Sequence, residues 1–306
     1  MPALTVAFCT FNRAIRLHAL VAALRAQRCD ADWELLAVNN ASTDNTLEIL
    51  AGLQAQPGPR LRVVTESTPG IVPARNRALT ESAESDYLVF IDDDELPKPG
   101  WLAAACDALL NEGADCVGGR IEIDYANAPR PRWLDDEIAG FLGRLDHGPQ
   151  AFWIADERTP LWSGNIGYAM RVFRETPELR FDTRYNRAGD GVGGGEDAMM
   201  FRALLARGAR MRYRPDMAIL HGVENWKLRR AYFLRLHYLA GVRAGRHALP
   251  DYPHTFLGVP PFLLSQAARQ LGRAAALQLA GRPGALRQAM NAVHALGCAL
   301  GYRQRA

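Results

Sequence analysis

Four short apolar segments, separated by helix-like stretches, occupy the first 91 residues and restrict the fold more than any other feature. They begin at Leu4, Trp33, Leu61 and Tyr87 and are rich in strand-forming residues. Between them, apolar residues recur at helical spacing, as in residues 16–27. Strands that alternate with helices in this way predict an α/β fold with a parallel, doubly wound sheet.

Polar clusters follow three of these predicted strands, at residues 10–13, 39–44 and 92–94. In parallel sheets of this kind, ligands bind at the carboxyl ends of the strands. We therefore expect the clusters to form one ligand site. The side chains that we assign to it are Thr10, Asn12, Arg13, Asn39, Asp44, Asp92 and Asp93.

Three consecutive aspartates, residues 92–94, directly follow the wholly apolar strand of residues 87–91. Carboxylates crowded at the end of a buried strand repel one another unless a cation or hydrogen-bond donors offset their charge. Asp92 and Asp94 project to the same side of an extended segment, so they can share one Mg²⁺ or Mn²⁺ whose shell phosphate oxygens complete. The alternative is a solvated turn in which Asp94 caps the next helix.

A second acidic cluster, Glu196 and Asp197, follows a run of glycines that begins at Gly193 and leads into a predicted helix. These carboxylates are candidates for a general base. Acidic residues are also favourable in the first turn of any helix, because they face the positive end of its dipole. Both interpretations stay open at this point.

Three isolated residues are weaker candidates. Trp162 and Asn165 could offer a sugar ring an aromatic platform and hydrogen bonds, although Trp162 is equally compatible with the core. His221 ends an apolar stretch and is a candidate metal ligand or a structural histidine.

The charge divides the chain into two regions. Residues 225–306 hold 12 basic residues and one acid, giving +11, and residues 1–224 carry −8. Apolar residues after Pro261 recur at helical spacing, with Arg269 and Arg273 among them, which predicts an amphipathic helix on an anionic membrane surface rather than a membrane span. A second helix over residues 285–300 would form a hairpin with it. The alternative is that this basic region packs against the acidic one. Nothing in it is typical of nucleic-acid recognition.

Several classes of protein are excluded. Neither of the two lysines completes a P-loop, and the HExxH and GxSxG motifs are absent. The five cysteines are odd in number and widely spaced, which argues against a disulfide framework or a thiolate zinc site and favours a reduced, cytoplasmic setting. The first residues lack the features of a signal peptide.

The order of these motifs resembles family 2 glycosyltransferases with the GT-A fold, over about residues 4–224. The segments that carry the resemblance are Cys9–Arg13, Asn39–Asp44, Gly70–Asn76, Asp92–Glu95, Asn165–Arg171, Gly195–Asp197 and Arg214–His221. It implies a Rossmann-like, mostly parallel sheet flanked by helices as the catalytic domain in residues 1–224. Residues 225–306 would then be a basic α-helical extension.

The resemblance also implies a role for each site residue. Thr10 and Asn39 would face the nucleotide base of a nucleotide-sugar donor and Asp92 its ribose, while Arg75 would assist the nucleotide. Asp94 would hold Mn²⁺ or Mg²⁺, with His221 as a further ligand. Asp197 would be the catalytic base, and Glu196 would help to position the acceptor. The family often has aspartate where Asn39 stands, so the choice of nucleotide stays open among UDP, which is favoured, GDP and dTDP.

Three functions compete on the sequence alone. The first is an inverting, metal-dependent glycosyltransferase, peripheral on the inner face of the cell membrane, that acts on lipid-linked or oligosaccharide acceptors in surface polysaccharide or glycolipid assembly. The second is a nucleotidyltransferase or metal phosphohydrolase, which would more often have a glycine-rich loop after the first strand. The third is a non-catalytic module that binds nucleotide-sugars or glycans. Both acidic clusters are intact, which favours the first.

Overall fold

The computed structural model describes residues 3–126, 128–187, 191–192 and 194–305, which form two compact units. The first unit contains the described residues of 1–127, 142–189 and 196–223. The second contains those of 128–141, 190–195 and 224–306. The described residues of 128–141 and 190–195, which the sequence prediction assigned to residues 1–224, cluster with the C-terminal segment.

The strands and helices of the described residues are numbered in chain order. The strands are β1 (Leu4–Thr10), β2 (Trp33–Asn40), β3 (Leu61–Glu66), β4 (Tyr87–Ile91), β5 (Glu95–Pro97), β6 (Cys116–Asp124), β7 (Phe152–Trp153), β8 (Asn165–Ala169) and β9 (Met211–Gly222). The α-helices are α1 (Ala14–Arg25), α2 (Thr46–Gln54), α3 (Ile71–Glu81), α4 (Trp101–Cys106), α5 (Asp136–Ala139), α6 (Arg171–Glu175), α7 (Glu196–Ala206), α8 (Arg230–Arg243), α9 (Pro261–Leu279) and α10 (Ala285–Arg303). Short π-helical turns, Asp107–Asn111 and Ala244–Ala248, continue α4 and α8.

One mixed sheet contains all of these strands, in the order β3-β2-β1-β4-β8-β6-β9-β5, with β7 also on β9. The pairs β1–β2, β2–β3, β1–β4 and β6–β9 are parallel, and β8 runs antiparallel between β4 and β6. The chain moves outward from β1 through β2 to β3 and then returns to the other side of β1 as β4. This reversal creates a switch point at the carboxyl ends of β1 and β4, where such sheets bind ligands.

The first half of the fold follows from the sequence pattern. Every residue of β1 is buried, as the apolar run predicts for a strand covered on both faces. Helix α1 buries Leu17, Leu20, Val21 and Leu24, whose spacing forms one apolar stripe against the sheet. The predicted mostly parallel α/β sheet with a helical C-terminal region is confirmed.

Helices α8, α9 and α10 dominate the second unit. The predicted pairing of α9 and α10 is confirmed, and the Gln288 side chain donates to the carbonyl of Gln270 across the pair at 3.3 Å. Helix α8, which the sequence pattern did not predict, packs along α10 at very short range. Gly241 lies in α8 and Gly245 in the π-helical turn that continues it, and both pack against α10, which contains Gly297 and Gly301. A Cβ atom at any of these four glycines would overlap the backbone of the other helix, so glycine is required there.

Among the described residues, no helix is both long and apolar enough to cross a bilayer.

The expectation of a chain without disulfides is wrong for one pair of cysteines. Cys29, in the loop after α1, is bonded to Cys106 at the end of α4, with a Cα–Cα distance of 6.6 Å. The two are 77 residues apart, but the sheet returns the chain to the same place. Their spacing in sequence therefore gave no support for a reduced compartment. Cys9, Cys116 and Cys298 are free thiols.

Candidate functional site

The loops after β1 and β2 are joined through Asn12. Its amide oxygen accepts hydrogen bonds from the backbone N–H groups of Thr43 at 2.8 Å and Asp44 at 3.3 Å. Asn12 adopts a positive φ of 53°, which asparagine tolerates better than most residues. The Asp44 carboxylate accepts from the N–H of Thr46, the first residue of α2, at 3.0 Å. These two predicted ligand residues thus shape the rim of the site.

Two neighbouring asparagines end β2, and both are buried. Asn39 accepts a hydrogen bond from the N–H of Ser42 at 3.4 Å, within the predicted cluster. Asn40, which had no role on the sequence alone, accepts from the N–H of Gly70 at 2.7 Å and donates to the carbonyl of Thr68 at 2.7 Å. It therefore fixes the loop that leads into α3. The repeated asparagine at a strand end was the signal available in the sequence.

The start of α3 depends on Gly70 and Asn186. Gly70 has a φ of 125°, and a Cβ atom there would collide with the Asn186 side chain. The Asn186 amide accepts from the N–H of Val72 at 3.2 Å and donates to the carbonyl of Pro69 at 3.1 Å. These contacts set the position of α3, which carries Arg75.

The aspartate cluster does not form a solvated turn that caps α4. That helix begins at Trp101 after Gly100 and has no side-chain cap. Glu95, which had no assigned role on the sequence alone, is buried and accepts a hydrogen bond from the N–H of Asp92 at 2.9 Å. Burial, together with the charges of Asp92 and Asp94, raises the pKa of Glu95 well above its usual range. Glu95 therefore supports the cluster from within the core.

Asp93 faces the loop after β1. Burial and the neighbouring Asp94 carboxylate raise the pKa of Asp93 to about 7, against the lowering effects of the Thr10 hydroxyl and the Arg13 guanidinium. Thr10, Arg13 and Asp93 are therefore close enough to interact, as predicted for residues at the ends of adjacent strands.

Asp94 and His221 come together although they are far apart in the sequence. The Oδ2 atom of Asp94 lies 3.6 Å from Nε2 of His221, and both side chains are 15% exposed. Strand β9 carries His221 next to β5, where it is paired with Glu95. The other ring nitrogen, Nδ1, is buried without a hydrogen-bond partner. The expected convergence of these two residues is present.

A carboxylate oxygen and an imidazole nitrogen suit Mn²⁺, and carboxylate also suits Mg²⁺. Within the described ranges there is no cluster of three or more His, Cys, Asp or Glu side chains arranged to bind a metal. Asp94 and His221 could thus supply only part of a coordination shell, and ligand oxygens would have to supply the rest. The donor set therefore fits a metal that is bound together with a phosphate-bearing ligand.

Arg75 connects the two acidic clusters. The residue is 3% exposed, and its guanidinium donates to Asp92 at 2.9 and 3.3 Å and to Glu196 at 2.9 Å. Asp92, Glu196 and Asp197 together raise the pKa of Arg75, so it stays charged despite its burial. The ring of Phe181 packs 5.7 Å from the guanidinium carbon. Asp92 and Glu196, predicted to contact ribose and acceptor, are in this structure partners of Arg75.

Asp197 lies in the first turn of α7, beside this ion pair. Burial and the charge of Glu196 raise its pKa to about 6, while Arg75 and a hydrogen bond from the N–H of Ala198 act in the opposite direction. The side chain remains partly exposed. A carboxylate with a pKa near 6 is a stronger base than a free aspartate and is still ionised at neutral pH.

Of the two predicted acceptor residues, only Trp162 keeps an accessible surface. It is partly exposed and packs against the core on its other side. Asn165 is buried, and its amide is fully used by Trp101 Nε1 at 2.7 Å, by the carbonyl of Arg120 at 3.1 Å and by that of Met217 at 2.8 Å. The acceptor role expected for Asn165 is therefore corrected to a structural one, which is to tie β8 to β6 and β9.

Comparisons with known proteins agree with this architecture. The model of the family described as "Glycosyl transferase family 2" matches residues 5–177. Glycosyltransferase AglE of Haloferax volcanii is 27% identical over 128 residues, which are 42% of each chain. Succinoglycan biosynthesis protein ExoM of Rhizobium meliloti is 24% identical over 247 residues, 79% of this chain and 74% of ExoM.

A solved structure shares the fold. The mannosyltransferase PcManGT from Pyrobaculum calidifontis, in complex with GDP-Man and Mn²⁺, superposes with a TM-score of 0.61 at 20% identity over 98% of this chain and 87% of that one. Coverage of the sequence relatives is lower. The chain spans 42% of AglE and 26% of a second matched relative, less than half the length of either.

Proposed function

This chain belongs to glycosyl transferase family 2, and we propose that it transfers a sugar from a nucleoside diphosphate donor to an acceptor hydroxyl with inversion at the anomeric carbon. The observation that carries the proposal is the Arg75 ion pair. It joins Asp92, which neighbours the Asp94–His221 pair, to Glu196, which precedes Asp197, a second carboxylate of raised pKa.

The chemistry requires one proton transfer and one displacement. Asp197 takes the proton of the acceptor hydroxyl while the hydroxyl oxygen bonds to the anomeric carbon. The bond from that carbon to the diphosphate breaks in the same step. A single displacement of this kind inverts the configuration. The nucleoside diphosphate leaves with the bonding electrons, so its charge must be neutralised.

Asp94 and His221 are the residues that would hold Mn²⁺ or Mg²⁺, as their oxygen and nitrogen donors fit. The metal would supply charge neutralisation for the diphosphate. The Mn²⁺ bound to PcManGT supports manganese over magnesium as the first choice to test. Thr10, Arg13, Asn39, Asp92 and Asp93 would line the nucleotide end.

Thermal-shift measurements with UDP-, GDP-, CMP- and dTDP-sugars, each with and without Mn²⁺, test the donor half of the proposal. We expect one donor with the metal to raise the Tm by about 5 °C at a hundredfold excess over its Kd, because only the native state binds it. Asp94→Ala should abolish the metal-dependent part of the shift. The exposed Asp32→Ala variant serves as the control and should keep it.

A folded protein that no donor stabilises in the presence of Mn²⁺ would contradict the proposed donor class. UDP remains the predicted nucleotide, and a shift confined to GDP-sugars would correct that choice without affecting the reaction. ExoM, a succinoglycan biosynthesis protein, supports a lipid-linked or oligosaccharide acceptor in polysaccharide assembly.

We further propose that the second unit docks on an anionic lipid surface at the inner face of the membrane. Helix α9 buries Leu263 and Ala267, while Leu264, Leu271 and Leu279 are 37%, 43% and 90% exposed. The three exposed leucines lie within about 80° of one another around the helix axis. This apolar stripe would enter the bilayer interface.

The positive charge of the C-terminal region favours an anionic bilayer over a second copy of the chain as the partner of this apolar stripe. Residues 225–306 carry 12 basic residues against one acid, so a second copy of the chain would bring like charge to the contact. Arg269 and Arg273 lie on the exposed part of the same helix and can reach lipid phosphates. An anionic bilayer satisfies both the apolar stripe and its basic surroundings.

Co-sedimentation of the full chain with phosphatidylglycerol-containing vesicles tests this surface. At low salt, we expect binding that phosphatidylcholine vesicles do not support and that high salt weakens. Leu271→Glu should weaken it by about tenfold or more, because it removes a leucine that would be buried in the bilayer and adds an unfavourable charge. The exposed Leu47→Glu on α2 is the matched control and should bind like the wild type. A wild-type chain that ignores anionic vesicles would refute the docking surface while leaving the transferase reaction untouched.

A further inference from the structure

Arg75 is placed to do more than neutralise charge, because it holds two carboxylates that belong to different parts of the reaction. Asp92 follows β4 at the donor end of the site, and Glu196 opens α7 beside Asp197. The distances from the guanidinium nitrogens to the two carboxylates are both 2.9 Å. The side chain of Glu196 is 5% exposed and that of Arg75 is 4% exposed, so neither partner has a solvent alternative.

The buried pair also leaves polar atoms unused. Glu196 Oε1 accepts from Arg75, but Glu196 Oε2 is buried without a hydrogen-bond partner. A buried carboxylate oxygen without a donor is costly, and ion pairs of this kind stabilise a fold less than apolar packing does. A purely structural role therefore explains the arrangement poorly. A hydroxyl group brought by a ligand would satisfy Oε2.

We propose that Arg75 is a positioning residue that couples donor binding to acceptor activation, because it holds Asp92 and Glu196 in one hydrogen-bonded unit. This inference rests on the proposed transferase function. A donor that contacts Asp92 then acts, through Arg75, on the position of Glu196. Glu196 in turn offers Oε2 to the acceptor hydroxyl, next to the carboxylate that removes its proton. No bond of the substrate is made or broken by Arg75 itself.

The charges around Asp197 make this coupling measurable. Four groups face it: Glu196 on its own helix, Arg75 on α3, Arg187 from the preceding segment and the neutral Tyr168 on β8. Glu196 raises the pKa of Asp197, and Arg75 and Arg187 lower it. Removing Arg75 should therefore shift the Asp197 titration upward, and neutralising Glu196 should shift it downward. The two shifts have opposite signs because Arg75 and Glu196 carry opposite charges, and the accompanying change in kcat distinguishes a positioning role from a structural one.

The test compares Arg75→Met, Arg75→Lys and Glu196→Gln with Arg77→Met, a control on the same helix whose side chain is 39% exposed and pairs with Glu81. The readouts are kcat and donor KM, the pH profile of kcat/KM, and a ¹³C NMR titration of the Asp197 carboxyl group. We expect Arg75→Met to lower kcat by about 10²-fold with a smaller change in KM, and to raise the Asp197 pKa.

Arg75→Lys keeps the positive charge, so the Asp197 pKa should stay close to its wild-type value. The kcat should not recover, because a single ammonium cannot hold two carboxylates in the geometry of a guanidinium. Glu196→Gln should lower the Asp197 pKa.

An Arg75→Met protein that folds, keeps kcat within about threefold and leaves the titration unmoved would overturn the proposal. If Arg75→Met does not fold, unchanged kcat and an unmoved titration in Arg75→Lys and Glu196→Gln would overturn it in the same way. The NMR titration needs no turnover, so failure of this coupling remains distinguishable from failure of the transferase assignment.

Discussion

Replacement of Asp197 by asparagine is expected to lower kcat by about 10²- to 10⁴-fold, the range that general-base catalysis contributes. Asparagine has nearly the same shape and can still accept a hydrogen bond from the N–H of Ala198, as Asp197 does. The amide cannot take a proton from the acceptor. The loss should therefore fall on kcat, whereas the thermal shift caused by donor and Mn²⁺ should persist. Steady-state kinetics and thermal shifts on one preparation check both statements.

The pH dependence of the wild-type enzyme provides a second check on Asp197. Because the pKa of Asp197 is raised to about 6, this proposed base is protonated and inactive at lower pH. Activity should rise through about pH 6 to a plateau at neutral pH, and this limb should be absent from the residual activity of Asp197→Asn. Asp156→Asn, a change at a partly exposed aspartate elsewhere in the first unit, is the matched control. An Asp197→Asn enzyme with near wild-type turnover would assign the base to another group.

The parts of this site that the sequence predicts are those decided by local pattern. The apolar segments from Leu4 and Tyr87 form parallel strands because such runs are stable only when both faces are covered. Once those strands are parallel, the polar residues that follow them must meet at one edge of the sheet. The proximity of Thr10 to Asp93 is a consequence of that geometry.

Contacts between distant residues decide the rest, and no local pattern records them. Arg75 and Glu196 are 121 residues apart, and Asn165 is 52 residues from Met217. Asparagine near an aromatic residue is equally typical of a sugar site and of a buried clamp, and only the assembled sheet distinguishes the two. The pairing of Cys29 with Cys106 escaped prediction for the same reason.

The register between β6 and β9 is another long-range feature, and His221 depends on it. Gly119 is paired with Arg214, and the register then shifts before Ile123 pairs with His221. The extra residues on β9 form a bulge whose Met217 carbonyl accepts a hydrogen bond from Asn165 at 2.8 Å. Gly119 lies directly under this bulge. A Cβ atom there would overlap the Met217 carbonyl oxygen and lie 2.7 Å from its carbon.

Gly119→Ala should therefore destabilise the first unit by about 3 kcal/mol or more, because the methyl group meets backbone rather than a side chain that can move aside. The backbone of Gly119 is not in a positive-φ conformation, so the effect reports the contact alone. Gly52→Ala on α2 is the matched control. It is exposed, a Cβ atom there meets nothing within 4 Å, and the change should stabilise the helix by about 0.5–1 kcal/mol.

Urea unfolding followed by circular dichroism measures both variants, and thermal shift with donor and Mn²⁺ reports the site. If Gly119→Ala folds at low temperature, it should still lose the metal-dependent shift, because displacement of the bulge carries His221 away from Asp94. That loss would connect a methyl group in the sheet to the proposed metal ligand beyond the bulge on β9. Equal stability of the Gly119→Ala and Gly52→Ala proteins would instead mean that β6 and β9 do not pair in this register, and the assignment of His221 as a partner of Asp94 would fall with it.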